Sequence, residues 1–307
     1  MTDYDVLVLG GAGVDTIVHV PQLPLPFADS YLVPAIEMRA GQTGDGVALG
    51  VSALGLRTHH IDMLGDDREG ALVRDLHARH NVPLTAVPTA AGTKRAVNLV
   101  SPDGRRLSLY DLSRGEESDR LPAAQVSALA GASRHVHVSI THPCREALPL
   151  LGTVSVSTDL HNWDGENPYH EAFVRRADIV FLSTAALADV AATMRRILAN
   201  GRAHTVVATA GSAGAHLLVR GDPGPGAEVV RHVPVAPPRG PVVDSNGAGD
   251  AFVSGFLFGF LTGETPWTSA HYGAVAGAHA CTIASTMVDP IDRAMLISQV
   301  SDDRAGQ

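Results

Sequence analysis

Lysine is nearly absent from this sequence. Lys94 is the only lysine among 307 residues. A phosphate-binding P-loop requires the pattern GxxxxGK[ST], but Thr93 and Arg95 flank Lys94, so a P-loop NTPase is excluded. Catalysis through a lysine Schiff base would have to use the same residue, which comes just before a strand-like segment, and we consider it disfavoured.

Cysteine and positive charge are also scarce. Cys144 and Cys281 are the two cysteines, with no CxxC pattern, which indicates a reducing cytoplasmic location and no disulfide framework. Asp3 and Asp5 occupy positions that would be basic in a secretory signal. The formal charge of −9, without a basic cluster, argues against nucleic acid or an anionic membrane as a partner.

Long hydrophobic runs are missing as well. The apolar stretch from Phe252 to Leu261 has about half of the ~20 residues needed to span a bilayer, so it predicts a buried helix. Hydrophobic residues nevertheless make up 45% of the chain and charged residues 18%, which argues against general disorder. The length and composition predict one α/β domain over residues 1–300, followed by a frayed polar tail at 301–307.

A glycine-rich segment before this apolar stretch carries the strongest chemical signal. Gly247, Ala248 and Gly249 precede Asp250 and a run of helical length. Backbone amides at such a helix start can bind an anion. A carboxylate inside an anion site is explained if the anion is a transferring phosphoryl group and Asp250 takes the proton of the attacking hydroxyl. By itself, the motif is equally compatible with an ordinary loop before a buried helix.

Strands and helices alternate regularly in the second half of the chain. This rhythm predicts a mostly parallel sheet with helices on both faces, which is a three-layer α/β/α architecture. The predicted strands are Val136–Ile140, Val154–Thr158, Ile179–Leu182 and Thr205–Thr209.

Two pairs of strand-like segments interrupt that rhythm. One pair, Thr16–Val20 and Tyr31–Ile36, is separated by a proline-rich stretch. The other flanks an Asp103-Gly104 hairpin signal. We expect strand pairs outside the main sheet at about residues 16–38 and 96–110. An exposed edge of such a strand could pair across a homodimer.

Two further candidate sites have alternative interpretations. Asp15 follows the first strand, where open α/β sheets place ligands; it could bind paired hydroxyls or simply form a turn. Ser212 lies in Ala-Gly-Ser-Ala-Gly, which is similar to the nucleophile elbow of serine hydrolases. The elbow requires a helix next, but residues 216–219 are β-like, so a hydrolase using Ser212 is the weaker alternative.

Taken together, the motifs resemble those of the ribokinase-like (PfkB) carbohydrate and nucleoside kinases over nearly the whole chain. Residues 244–252 resemble the C-terminal signature DTxGAGDxF, with Ser245 in place of threonine. Further matches follow in family order: the first strand with Asp15, Leu54-Gly55, Gly65-Asp66-Asp67 with Gly70, Pro102-Asp103-Gly104-Arg105, and Thr209-Ala210-Gly211-Ser212-Ala213-Gly214-Ala215.

This resemblance implies a ribokinase-like fold in which the extra strand pairs form a lid over the acceptor. It also implies ATP-dependent transfer of the γ-phosphoryl group to a hydroxyl of a small sugar or nucleoside, with Mg²⁺ bridging the ATP phosphates. Asp250 would be the general base, and Asp244 would help to hold a monovalent cation such as K⁺. The remaining implied roles are an anion hole at Gly247, Ala248 and Gly249, acceptor binding at Asp15 and Gly41, and nucleotide binding along Thr209, Gly211, Gly214, Gly247 and Gly249.

Two departures from the family pattern affect these expectations. The family's first signature is a GGxxxN-type stretch whose asparagine contacts the sugar. The corresponding residues 40–46 contain no asparagine, so Asp45 would have to make that contact with the acceptor. The NxxE motif, whose acid organises water around the metal, aligns with residues 183–186, where Ala186 replaces the acid. A non-catalytic protein that binds a nucleotide or sugar, or has a regulatory role, is therefore the alternative to a kinase.

Overall fold

The computed structural model describes residues 2–103, 105–115, 117–222 and 229–305. These residues form two separate sheets and nine α-helices. In chain order the strands are β1 (Tyr4–Leu9), β2 (Val14–His19), β3 (Ile36–Ala40), β4 (Thr58–Leu64), β5 (Leu84–Pro88), β6 (Arg95–Val100), β7 (Arg106–Tyr110), β8 (Ser133–Val138), β9 (Ser155–Asp159), β10 (Ile179–Ser183), β11 (Thr205–Thr209), β12 (Ala215–Val219) and β13 (Arg231–Val233). The helices are α1 (Thr43–Ala53), α2 (Arg68–Arg79), α3 (Ala123–Gly131), α4 (His142–Ala147), α5 (Glu171–Arg176), α6 (Val190–Asn200), α7 (Ala248–Leu261), α8 (Pro266–Ala280) and α9 (Arg293–Ala305).

The large sheet has nine strands in the order β13-β12-β11-β10-β9-β8-β1-β4-β5. All neighbours from β11 to β5 pair in parallel, whereas β12 and β13 pair antiparallel at one edge. Parallel pairing brings the carboxyl ends of these strands to one edge of the sheet, where open α/β sheets bind their ligands. The predicted mostly parallel sheet is confirmed.

Helices cover both faces of this sheet. In β1, Val6 and Val8 pack into the core formed with α1, α7, α8 and α9, whereas Leu7 and Leu9 pack into the core formed with α3, α4, α5 and α6. Successive side chains of a strand point to opposite faces, so a run buried on both sides must be continuously apolar. The three-layer α/β/α prediction is confirmed.

The small sheet has four strands in the order β3-β2-β6-β7, and we call it the lid. β6 and β7 form the predicted antiparallel pair, although Gly104 of the expected turn lies outside the described residues. The predicted strand at Tyr31–Ile36 is wrong, because β3 begins at Ile36 and continues to Ala40. The position of β3 is determined by its hydrogen-bonded pairing with β2, in which Val14 pairs with Ala40 and Val18 with Ile36.

The last element that the structure describes is helix α9, which extends to Ala305. This helix includes Ser301, the residue from which we expected a frayed tail. Among the helices that the structure describes, none is long and apolar enough to cross a membrane.

Candidate active site

The turn before α7 has the geometry of an anion-binding loop. Gly247 precedes the helix with a φ of +78°, a left-handed conformation that glycine adopts without strain. A methyl group on Gly247 would lie 2.5 Å from Thr286 Oγ1, whereas one on Gly249 would meet no described atom within 4 Å. The first turn of α7 therefore opens onto free space, and its backbone amides have no acceptors within the helix. Gly247, Ala248 and Gly249 are thus placed together where an anion can bind.

Asp250 lies in this first turn, and glycines of α1 leave room for it. A methyl group on Gly46 would lie 3.0 Å from Asp250 Cβ and 3.1 Å from its Oδ2. One helical turn further, Gly50 of α1 faces Ser254, whose hydroxyl donates to the Asp250 carbonyl oxygen at 2.8 Å. Burial raises the pKa of Asp250 well above its usual range, and the negative charge of Asp159 raises it further. Asp250 therefore binds a proton more readily than an exposed aspartate does, as suits a general base.

Asp15 lies on the lid, and two amide side chains orient its carboxylate. Gln42 Nε2 donates to Asp15 Oδ1 at 2.9 Å, and Asn98 Nδ2 donates to Oδ2 at 2.8 Å. The Ser108 hydroxyl in turn donates to Asn98 Oδ1 at 2.6 Å, which fixes the orientation of that amide. A carboxylate has about four lone-pair sites, so Asp15 keeps acceptor capacity for ligand hydroxyls.

One face of the lid is polar and touches the body of the protein. Asp15 of β2 pairs with Arg39 of β3, so both side chains lie on this face. Arg106 of β7 donates to Asn246 Oδ1 at 2.6 Å, next to the anion-binding turn. The positive charge of Arg106 also lowers the pKa values of Asp250 and Asp15, although burial outweighs it and both remain raised. The lid thus brings Asp15 and Arg106 to the space beside Asp250 of α7.

Asp45 does not line that space. Its side chain is fully buried, and Oδ2 accepts from the backbone amides of Gln42 at 2.9 Å and Gly13 at 3.1 Å. Its Oδ1 lies 2.7 Å from His77 Nε2. The expected direct contact between Asp45 and the acceptor is therefore not supported, because both oxygens are directed at groups of the protein itself.

Two buried histidines accompany Asp45. Its Oδ1 lies 3.4 Å from His60 Nδ1, and the three ligand-type atoms of Asp45, His60 and His77 lie within 4.8 Å of one another. The 2.7 Å separation from His77 is that of a hydrogen bond, so we interpret the cluster as linked by protons. Burial alone would raise the pKa of Asp45, but hydrogen bonds from His60 and His77 outweigh it and lower that pKa. The ionised Asp45 holds the Gln42 backbone and thereby helps to position Gln42 beside Asp15.

Gly41 connects the end of β3 in the lid to Gln42, which precedes α1. Its φ is +108°, and its amide donates to the Gly13 carbonyl oxygen at 2.8 Å. A methyl group here would lie 2.5 Å from Met287 Sδ. Glycine is therefore required at this position by both backbone conformation and packing.

The three residues expected along ATP lie at and beyond the end of β11. Thr209 is its last residue, at the carboxyl edge of the parallel strands. Gly211 has a φ of +56°, is exposed, and a methyl group on it would meet no described atom within 4 Å. Gly214 has a φ of +86°, and a methyl group there would collide with the Val233 carbonyl oxygen. The backbone at Gly211 is thus open to a ligand, whereas Gly214 permits close strand packing.

Asp159 is a carboxylate near the place where the NxxE acid would orient water around the metal. Residues 184–186 form a short 3₁₀ turn after β10 without a carboxylate. Asp159, the last residue of the neighbouring strand β9, is close enough to raise the pKa of Asp250 by its charge. Its Oδ1 accepts from the His161 amide at 2.8 Å, and its Oδ2 lies 3.7 Å from His161 Nδ1. Asp159 therefore supplies a carboxylate at the same edge of the sheet as the missing NxxE acid.

Ser212 lacks the surroundings of a hydrolase nucleophile. It lies in a 3₁₀ turn between β11 and β12, not at the start of an α-helix. His271, which follows Ser212 in the chain as the histidine of a hydrolase triad would, is hydrogen-bonded to the Trp267 carbonyl oxygen within α8. The described part of the chain gives the Ser212 hydroxyl no histidine partner, so the hydrolase alternative lacks its general base.

Sequence reasoning missed four polar residues around this space: Arg39, Gln42, Asn98 and Arg106. Three of them lie on lid strands, where alternation would have placed Arg39 and Asn98 on the face of Asp15 once the pairing was known. Gln42 carries no comparable sequence signal, because its role depends on the packing of α1 against the lid.

The fold is that of the ribokinase-like kinases. Residues 4–292 match the pfkB family of carbohydrate kinases, and the chain belongs to this family. It is 63% identical over 295 residues, covering 95% of this chain and 97% of the relative, to acarbose 7(IV)-phosphotransferase from Actinoplanes sp.. Fructoselysine 6-kinase from Escherichia coli is 28% identical over 230 residues, with coverage of 74% and 83% respectively.

Solved structures agree with this assignment. The microbiome-derived acarbose kinase Mak1 superposes with a TM-score of 0.87 at 44% identity, covering 98% of this chain and all of the other. Arabidopsis thaliana ribokinase has a TM-score of 0.79 at 17% identity, covering 98% and 99%, which shows the fold alone. The ribokinase-like prediction is confirmed. The protein is a kinase that uses an alcohol group as acceptor, so neither the hydrolase nor the non-catalytic alternative is retained.

Proposed function

We propose that this protein transfers the γ-phosphoryl group of ATP to a hydroxyl of acarbose, with Asp250 as the general base. The observation that carries the reaction is the raised-pKa carboxylate of Asp250 inside the open first turn of α7, with Asp15 facing the same space from the lid. The acceptor is proposed from the 63% identity to acarbose 7(IV)-phosphotransferase over nearly the full length of both chains.

Each residue of the site has a distinct role in this proposal. Asp15 accepts hydrogen bonds from acceptor hydroxyls, and Asp250 removes the proton from the hydroxyl that attacks. The amides at the start of α7 and the helix dipole stabilise negative charge on the transferring group. Gly211 and its neighbours border the nucleotide. Mg²⁺ would neutralise charge on the ATP phosphates, and Asp159 would orient its water ligands.

An acceptor panel tests this proposal. Purified protein with ATP and Mg²⁺ is offered acarbose, ribose, fructose and adenosine, and ADP release is measured. We expect kcat/KM for acarbose to exceed that for each other acceptor by at least about tenfold, since a smaller acceptor cannot make all the hydrogen bonds that a site suited to acarbose offers. Preference for ribose or adenosine would contradict acarbose as acceptor. Binding without turnover of any acceptor would contradict the whole proposal.

Replacing Asp159 with asparagine should raise the Mg²⁺ requirement. Loss of a carboxylate that orients metal-bound water costs roughly 10–100-fold in metal affinity or activity. We expect the Mg²⁺ concentration for half-maximal activity to rise about tenfold, as measured by titration at fixed ATP. Asp75→Asn, an exposed carboxylate of α2, serves as the matched control. An unchanged Mg²⁺ titration in Asp159→Asn would rule out this role.

We also propose that two copies associate through the outer face of the lid. The register brings Val18 beside Ile36 and Leu99 beside Leu107, so one face of this sheet is largely apolar, with Thr16 as a polar residue within it. Ile36 is 67% and Leu109 is 52% exposed. Exposed apolar patches of this kind mark interaction sites, and a second copy presents a matching face about a two-fold axis.

Light scattering of the purified protein tests this association. We expect the mass of a dimer for the native chain and that of a monomer for Leu109→Arg. Arg105→Ala, a change at an exposed residue just before β7 that is bonded to Asp103, should leave the mass unchanged. A monomeric native protein at micromolar concentration would disprove the dimer.

A further inference from the structure

Arg39 lies at the contact between the lid and the body. Its Nη1 donates to the Ala284 carbonyl oxygen at 2.6 Å and lies 3.4 Å from Asp244 Oδ2. Its Nε and Nη2 both donate to Glu37 Oε2, at 3.1 and 2.7 Å. The side chain is only 20% exposed. Arg39 pairs with Asp15 of the neighbouring strand β2, so its side chain leaves the lid on the same face as that of Asp15.

Apart from Glu37 on β3, the oxygens that bind Arg39 belong to two loops next to the anion-binding turn, one with Asp244 and one with Ala284. The Val243 amide donates to the Cys281 carbonyl oxygen at 2.8 Å, which joins the loop of Asp244 to the loop of Ala284. Thr286 of the second loop packs against Gly247, the residue that starts the turn. These two loops therefore link Arg39 to the backbone that would hold the phosphoryl group.

This arrangement does not fit a monovalent metal ion beside Asp244. A carboxylate and a backbone carbonyl are oxygen donors of the kind that hard cations such as K⁺ take. Here both oxygens face one arginine nitrogen, and the other Asp244 oxygen accepts from the Asn246 amide at 2.9 Å. A metal ion in the same place would meet a like charge at close range and would lose the carbonyl oxygen to the stronger hydrogen bond.

We propose that Arg39 replaces the monovalent cation that the sequence led us to expect at Asp244. The inference rests on the proposed kinase activity and adds a property of the same site: phosphoryl transfer without a requirement for K⁺. The positive charge next to the anion-binding turn is then supplied by a strand of the lid. Arg39 is a positioning residue here, since it acts through the two loops and not on the substrate.

Kinetics in different salts test the proposal. Activity is measured in KCl and in choline chloride at equal ionic strength. We expect the native protein to be equally active in both within about twofold. Arg39→Ala should lose about tenfold in choline chloride and regain most of that loss in KCl, because K⁺ can then enter beside Asp244 and Ala284. Arg105→Ala, a change just before β7, is the control and should show no salt preference.

Thermal unfolding provides a readout that does not depend on turnover. We expect KCl to raise the Tm of Arg39→Ala relative to choline chloride and to leave the Tm of the native protein unchanged. Arg39→Gln, which keeps the bulk of the side chain, is measured in parallel in case the alanine variant folds poorly. Strong stimulation or stabilisation of the native protein by K⁺ would overturn the proposal, and so would the absence of any K⁺ effect in both variants. If no acceptor is phosphorylated, the acarbose kinase proposal fails while the Tm comparison still decides the role of Arg39.

Discussion

Replacing Asp250 with asparagine should reduce kcat by about 10²–10⁴-fold, the range for loss of a general base. The amide has nearly the same shape, so it should fill the space beside Gly46 without repacking α1 and α7. It cannot accept the hydroxyl proton, however. ADP release with acarbose measures the effect, and Asp75→Asn on the surface of α2 is the matched control.

Two accompanying measurements separate catalysis from folding in this experiment. The Tm of Asp250→Asn should not fall, since removal of a buried charge relieves its desolvation cost. Binding of ATP, measured by calorimetry, should persist. Retention of more than a tenth of the native kcat would contradict the assignment of Asp250 as the base.

The raised pKa of Asp250 also predicts an acidic limb in the pH profile. A base works only when ionised, so kcat/KM should fall as the pH falls through this raised pKa. Arg106 lowers the pKa of Asp250, so Arg106→Ala should move the limb to higher pH. Asp159 raises it, so Asp159→Asn should move the limb to lower pH. Shifts in the opposite directions would contradict Asp250 as the titrating group.

Replacing Asp15 with asparagine should have the second large effect, on acceptor use. Gln42 and Asn98 both donate amide hydrogens to Asp15, so an amide at this position would turn a donor of its own towards one of them. The acceptor would also lose hydrogen bonds to a charged group, each of which contributes about 1.5–3 kcal/mol. Loss of two such bonds corresponds to roughly 10²–10⁴-fold in kcat/KM for the acceptor.

Separate titration of the two substrates shows whether Asp15 acts on the acceptor alone. The KM for ATP should remain within about twofold of the native value, because Asp15 lies on the lid and not beside the glycines after β11. Asp75→Asn again serves as control. An unchanged kcat/KM for acarbose would exclude Asp15 from the acceptor site.

Local patterns were sufficient to predict the start of α7 and the main sheet. The three small residues before Asp250 determine a helix start through short-range backbone geometry, and regular alternation of strands and helices predicts a parallel sheet. The prediction of Tyr31–Ile36 as a strand failed because β-prone side chains indicate that a segment can be extended, but they do not determine which segment pairs with a neighbouring strand. Pairing with β2 selected Ile36–Ala40 instead.

The role of Asp45 could not be read from the chain, because its neighbours are distant in sequence. His60 comes from β4 and His77 from α2, and only the packing of these elements against α1 encloses the carboxylate. Gln42 and Asn98 escaped notice for the same reason. Motif matching finds residues whose neighbours are adjacent in sequence, whereas the side chains around Asp15 are assembled by strand register.

The alternation of the lid strands restricts how this protein can evolve new acceptors. Insertion of one residue into β2 ahead of Asp15 would turn Asp15 to the outer face of the lid, away from the acceptor, since each step along a strand reverses the face. Changes of length within these strands should therefore be eliminated by selection. Diversity of acceptors should arise through substitutions at every second position, or through the connection between His19 and Ile36, where added residues leave the register unchanged.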